Sequence, residues 1–249
     1  MEARLGRRDR GDGTQLAYAL TPGQGPTTVF LPGFRSDMTG SKAVAIESWC
    51  RDAGRACLRL DYSGHGASDG SFTDGTIGEW TADALHLVDH LTEGPLVLVG
   101  SSMGGWIALL LALARPDRVA ALLGIAAAPD FTQTLMWDAM MPAERATLER
   151  DGVLMVPSQY GDPTLVTMKL IQEGRRHLLL HATVPIACPV HLLQGQKDPD
   201  VPWETALRLA ERLAGTDVQV TLVKDGDHRL SRDADLLVLR RLHAALLDQ

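Results

Sequence analysis

Gly100-Ser101-Ser102-Met103-Gly104 is a short stretch whose residue types can do chemistry. It matches G-x-S-x-G, the pattern that stands a serine hydroxyl clear of a sheet on a strained strand-to-helix turn. The pattern alone is common, and its setting makes it specific. LVLV precedes it as a strand over 96–99, and apolar helical spacing follows over 103–114. Glycine at the flanking positions has a physical reason, because side chains there would collide with neighbouring backbone. The N-terminus of the following helix adds a positive dipole where negative charge would develop. Ser101 has the wrong spacing for this role. A dehalogenase would need a carboxylate where Ser102 stands.

A serine hydroxyl is a weak nucleophile until a base takes its proton. The base is a histidine oriented by a carboxylate, and in this motif's setting they follow in chain order Ser, Asp, His, each after a strand. Asp198 follows VHLLQ in Gln194-Gly195-Gln196-Lys197-Asp198, and His228 follows VTLV in Asp225-Gly226-Asp227-His228. Open α/β sheets place their sites at such carboxyl ends of strands. Asp200 is the rival acid, because chain order does not separate it from Asp198. Asp227 reads as a loop residue beside the base. His65 precedes the serine and reads as a structural loop or pocket-wall residue, and His177 and His181 as solvated or satisfied histidines. No carboxylate or thiolate completes a metal set with these histidines, so neither metal nor cofactor is expected.

The tetrahedral intermediate of such an attack needs two backbone N–H donors. Met103, directly after the serine, supplies one. Phe34, in Leu31-Pro32-Gly33-Phe34 after an early strand, is the candidate for the other.

Strand-like runs alternate with helical patterns around these residues. Strands are predicted over 28–31, 56–62, 96–99, 119–126, 190–194 and 218–223, and helices over 42–53, 76–92, 103–114, 204–213 and 232–247. Gly54 is a C-terminal stop for the first helix, and Thr76 with Glu79 is a capping box opening the second. Continuous apolar strands alternating with helices imply an α/β fold, a mostly parallel sheet covered on both faces. Asp12-Gly13 between strand-like runs over 5–20 predicts an antiparallel hairpin at one edge. Residues 129–185 hold no clear strand but carry Met136, Trp137, Met140, Met141, Met155 and Met168. A connection that long has structure or function of its own. It is expected to form a mostly helical lid on a single domain spanning 1–249, with a helical excursion that merely packs on the core as the alternative. Trp137, Met140, Met155 and Trp203 are expected to line the substrate pocket.

The bulk numbers set outer bounds. The net charge is −7, so nucleic acid is not an expected partner. The Arg4, Arg7, Arg8 and Arg10 group alternates with acids and reads as a solvated hairpin. The charge-free stretch 94–114 divides into a strand and a helix, each too short to span a bilayer. The opening residues have no apolar signal core, which predicts a cytoplasmic protein. Cys50, Cys57 and Cys188 are read as buried reduced thiols.

Several blocks together resemble a known superfamily. Asp61-Tyr62-Ser63-Gly64-His65-Gly66, the Ser102 turn, Ala114-Arg115-Pro116 and the Gly195/Asp198/Val201-Pro202 block look like the α/β hydrolases. Pro32-Gly33-Phe34 with Met38, Gly40, Lys42 and Ala43, Ser68-Asp69-Gly70, Gly105-Trp106, Pro157-Ser158, Cys188-Pro189, Val201-Pro202-Trp203 and Asp227-His228-Arg229 narrow this. The chain is similar to the mitochondrial palmitoyl-protein thioesterases, also known as acyl-glucuronide esterases, and looks like a bacterial-type relative. That resemblance implies a Ser102–Asp198–His228 triad cleaving small-molecule or protein-linked acyl esters or thioesters. A general carboxylesterase on small-molecule esters, acyl glucuronides included, is the alternative. A non-catalytic ligand-binding member of the fold would be expected to lack a triad residue, and a peptidase to carry an additional domain.

Overall fold

A computed structural model describes residues 2–158 and 161–247. Its central sheet has eight strands: β1 (Arg4–Asp9), β2 (Gln15–Thr21), β3 (Gln24–Leu31), β4 (Arg55–Leu60), β5 (Leu96–Ser101), β6 (Val119–Ile125), β9 (Val190–Gly195) and β10 (Val218–Val223). Two more strands, β7 (Val153–Ser158) and β8 (Gly161–Thr167), pair with each other apart from this sheet. The sheet order is β1-β2-β4-β3-β5-β6-β9-β10. From β4 to β10 every pairing is parallel, and β1 and β2 add antiparallel at the edge. This is the expected α/β-hydrolase fold with its edge hairpin.

Strand periodicity sorts the core into two layers. Leu96 and Leu98 of β5 face one side with Trp80, Leu87, Trp106 and Leu111. Val97 and Val99 face the other, with Ile46, Cys50, Leu239 and Leu246. The first layer lies under helices α2 (Ile77–Leu91), α3 (Met103–Ala114) and α6 (Glu204–Arg212); the second lies under α1 (Ser41–Asp52) and α7 (Asp233–Leu247). Burying each of the larger apolar side chains stabilises the fold by about 1.5–3 kcal/mol. The end signals hold: the Thr76 hydroxyl accepts from the Glu79 amide at 3.1 Å, and Gly54 sits at φ +66 just past α1.

Three readings change. Arg10 is not simply solvated, for it donates to Asp12, Glu79 and the buried Asp83 and so ties the edge hairpin to α2. Cys50 and Cys57 are buried, whereas Cys188 is only half-buried. The insertion between β6 and β9 carries the expected helices and, unexpectedly, a strand pair as well. A wide helical turn (Thr132–Trp137), α4 (Pro142–Asp151) and α5 (Met168–Gly174) flank an antiparallel hairpin of β7 (Val153–Ser158) and β8 (Gly161–Thr167). Val153, Val156, Thr164, Val166 and Thr167 supply the β-branched residues that suit a pleated surface. Met140, Leu148, Val166 and Ile171 form a small core inside the insertion. Among the described residues no helix is long and apolar enough to cross a membrane.

His243 of α7 is buried with its Nε2 3.0 Å from the Thr28 hydroxyl. Burial, with the Arg55 charge adding to it, lowers its pKa from 6.5 to about 4. The imidazole therefore favours the fold while neutral, and this contribution is lost as pH falls from 6.5 towards 4. Buried His65 and His191 are shifted in the same direction. Urea midpoints should fall across that window, and His243→Gln should flatten the dependence while lowering stability near pH 7.

Candidate active site

β5 leads directly into Ser102, which adopts φ 55 and ψ −119. A non-glycine residue at positive φ is strained and persists only where its surroundings over-determine it. Here they do. The Ser102 amide donates to the Ile125 carbonyl at 2.9 Å, and its carbonyl accepts from Gly105 at 2.8 Å and Ala128 at 3.1 Å. The flanking glycines are steric necessities. A Cβ on Gly100 would overlap the Gly104 carbonyl, and one on Gly104 would overlap the Leu31 carbonyl. α3 can thus start hard against the end of β3, leaving the Ser102 hydroxyl at the sheet's carboxyl edge.

Two more strands end at that edge. The loop after β9 carries Asp198 and the loop after β10 carries His228. His228 Nε2 lies 3.1 Å from Ser102 Oγ, and its Nδ1 lies 2.8 Å from Asp198 Oδ2. Gly195 lets the two loops pack, since a Cβ there would stand 2.6 Å from the Asp227 carbonyl oxygen. The Asp198 side chain is fully buried. Its Oδ1 accepts from the amides of Asp200 and Val201 at 2.8 and 2.9 Å, and its Oδ2 from Gln194 at 2.9 Å. Burial pushes its carboxyl upward, but the His228 hydrogen bond and charge, with the two amides, outweigh that and hold it below the ordinary value. Asp198, rather than its rival Asp200, is the carboxylate against His228 Nδ1.

Asp198, Asp200 and His228 bring ligand atoms within 4.8 Å of one another. Both Asp198 oxygens already accept protein hydrogen bonds, and both His228 nitrogens face protein groups.

Gly33 packs against the turn, where a Cβ would stand 3.3 Å from Ser102 Cβ. Its loop is held by the Tyr62 hydroxyl, which donates to the Pro32 carbonyl at 3.2 Å. The Phe34 ring anchors it further against Phe72, Trp80 and Phe131, with centroids 4.9–5.9 Å away. Phe34 lines the same cleft as Ser102, and Met103 is the first residue of α3, directly after it.

A cleft of about 830 Å³ opens over Ser102 and His228, walled by Phe131, Leu135, Met136, Met140, Val156 and Val166 among others. Of the four expected pocket residues, Met140 lines it. The other three do not. The Trp137 ring instead carries the guanidinium groups of Arg145 and Arg175, 5.5 and 4.8 Å from its centroid. Met155 is 57% exposed, because on β7 it points opposite to Val156. Trp203 stands half-buried at the start of α6. His65 is buried against Tyr62, Phe72 and Trp80, and His177 pairs with Glu173, so both are structural. Val156 and Val166 were missed because the hairpin was not anticipated; alternating branched residues over 153–156 and 164–167 were the available signal.

A parallel sheet, a serine on a strained turn after its central strand, and Asp198 and His228 on the loops after two later strands are the arrangement of one hydrolase class. The chain belongs to the alpha/beta hydrolase family, whose model matches residues 28–240. It is 44% identical over 234 residues to the mitochondrial palmitoyl-protein thioesterase ABHD10 of Homo sapiens, across 93% of this chain and 76% of that protein. Alpha/beta hydrolase domain-containing protein 10 from mouse superposes with a TM-score of 0.92 at 41% identity, covering 99% of both chains. A putative hydrolase of Agrobacterium vitis superposes with a TM-score of 0.93 at 40% identity, covering 99% of this chain and 98% of that one. The cytoplasmic location expected from the sequence stands apart from the mitochondrial location in the human relative's name.

Gly104→Ala should destabilise the protein by roughly 1–3 kcal/mol, the usual range for forcing atoms into a packed site. Thermal unfolding measures it, and an unchanged Tm would show that α3 can retreat from Leu31.

Proposed function

We propose that this protein is a serine hydrolase that cleaves acyl thioesters and esters through an acyl-enzyme. The carrying observation is the continuous hydrogen-bond chain from Ser102 through His228 to Asp198. His228 Nε2 takes the Ser102 proton as Oγ attacks the acyl carbonyl. Asp198 holds the imidazole in the correct tautomer and stabilises its charged form. The amides of Phe34 and Met103 receive the oxyanion. His228 then passes the proton to the departing thiol or alcohol. Water, deprotonated by the same imidazole, attacks the acyl-enzyme, and collapse of the second intermediate returns the proton to Ser102.

The insertion acts as the lid and supplies the acyl side. Its cleft-facing Leu135, Met136, Met140, Val156 and Val166 match a flexible hydrocarbon chain, which sulfur-bearing side chains accommodate well. The thioesterase name of the human relative agrees with this. Oxygen and sulfur leaving groups use the same machinery, so an oxyester of the same acyl group is also a substrate.

Ser102→Ala should lower kcat about 10⁴-fold or more and abolish fluorophosphonate labelling. Asp198→Ala should cost at least about a hundredfold more activity than Asp200→Ala, and the reverse order would move the acid to Asp200. On a panel of p-nitrophenyl esters and acyl thioesters, Ala139→Trp, which adds bulk at the cleft wall, should shift the optimum to shorter chains. An unchanged optimum would place the acyl chain elsewhere.

A further inference from the structure

Lys42 is a lysine set among groups that should keep it neutral or pair it. It lies in the first turn of α1, well away in sequence from the loops that carry Asp198 and His228. Its side chain reaches the wall of the cleft and of an adjoining side cavity of about 330 Å³. Its Nζ donates to the carbonyl of Arg229, the residue directly after His228. The next contact repeats the tie, for the Ser41 hydroxyl donates to Ser231 at 3.2 Å. Inside the loop, the Asp227 carboxylate accepts from the Leu230 amide at 2.9 Å. Arg232 closes its far end on Asp225 and Asp235. Beyond the segment itself, Leu230 packs in the core with Ala43 and Ile46, and His228 bonds Ser102. Lys42 and Ser41 at the start of α1 add two further hydrogen bonds to it.

We infer that the Lys42 ammonium is a positioning residue for the His228 imidazole, holding the Arg229 peptide so that Nε2 stays on Ser102 Oγ. This rests on the triad reading above.

An ammonium donates a stronger hydrogen bond to a carbonyl than a neutral amine does. The hold therefore depends on the Lys42 charge. Burial lowers its pKa from 10.5 to about 8, with Asp227 and Asp235 opposing that shift and Arg229 adding to it. Asp37 lines the side cavity along with Lys42. Below pH 8 the ammonium braces the loop; above it the brace weakens and kcat declines.

The test is kcat and KM for a p-nitrophenyl acyl ester from pH 6 to 9.5, with wild type, Lys42→Met and Lys42→Arg. Wild-type kcat should fall above about pH 8. Lys42→Met should lower kcat about tenfold at pH 7, with KM within about twofold, and lose that alkaline limb. Lys42→Arg keeps the charge and should carry activity at least about one pH unit higher. A wild-type kcat flat to pH 9.5, a Lys42→Met kcat within about twofold of wild type, or a folded Lys42→Arg that retains the limb near pH 8 would each overturn the inference. If Lys42→Met does not fold, the wild-type and Lys42→Arg profiles decide. Turnover retained by Ser102→Ala would instead break the triad reading, and is measured separately.

Discussion

The backbone of Ser102 is the constraint on which the rest of the site depends. Its positive φ is costly for a residue with a Cβ. The cost is met by hydrogen bonds to both of its backbone polar groups and by three glycines that let α3 crowd β3, β5 and the segment after β6. Once that turn is fixed, the hydroxyl must project beyond the carboxyl edge of the sheet. Parallel strands all end on the same side, so the loops after β9 and β10 arrive there without further design.

Around that serine the cleft has two unlike halves. Its roof is apolar and comes from the insertion, which builds a small core of its own from Met140, Leu148, Val166 and Ile171. Its floor is polar and comes from three sheet-edge loops that brace one another. Tyr62 fixes the Pro32 carbonyl, Gly195 admits the His228 loop, and α1 reaches that loop through Lys42 and Ser41. Packing of aromatic rings joins the halves, since Phe34 of the floor touches Phe131 at the root of the roof.

The buried titratable groups divide as well. Asp198 is charged in a dry setting because four donors converge on its two oxygens. His243 is held neutral in a dry setting by its burial and by the Arg55 charge. Two titratable side chains of comparable burial are thus held in opposite charge states by what surrounds them.

Much of this was legible in the sequence because it is local. Strand and helix periods, the Thr76 cap, the Gly54 stop and the Gly100–Gly104 spacing act over a few residues, and each reports on its own stretch of backbone. The order Ser102, Asp198, His228 was legible too, since a parallel sheet forces loops after successive strands to one edge. What required the tertiary structure is everything that depends on distance between remote residues. Asp198 and Asp200 are two positions apart, and only the fold decides which faces His228. Trp137 and Met155 carry the composition of a pocket, yet a pair of arginines and the alternation of β7 turn them away from it. Arg10 reaches the buried Asp83 across 73 residues, and Lys42 reaches the loop of His228 across 187. Such contacts leave no periodic trace, because they are made by single side chains whose direction is set only after the sheet has closed.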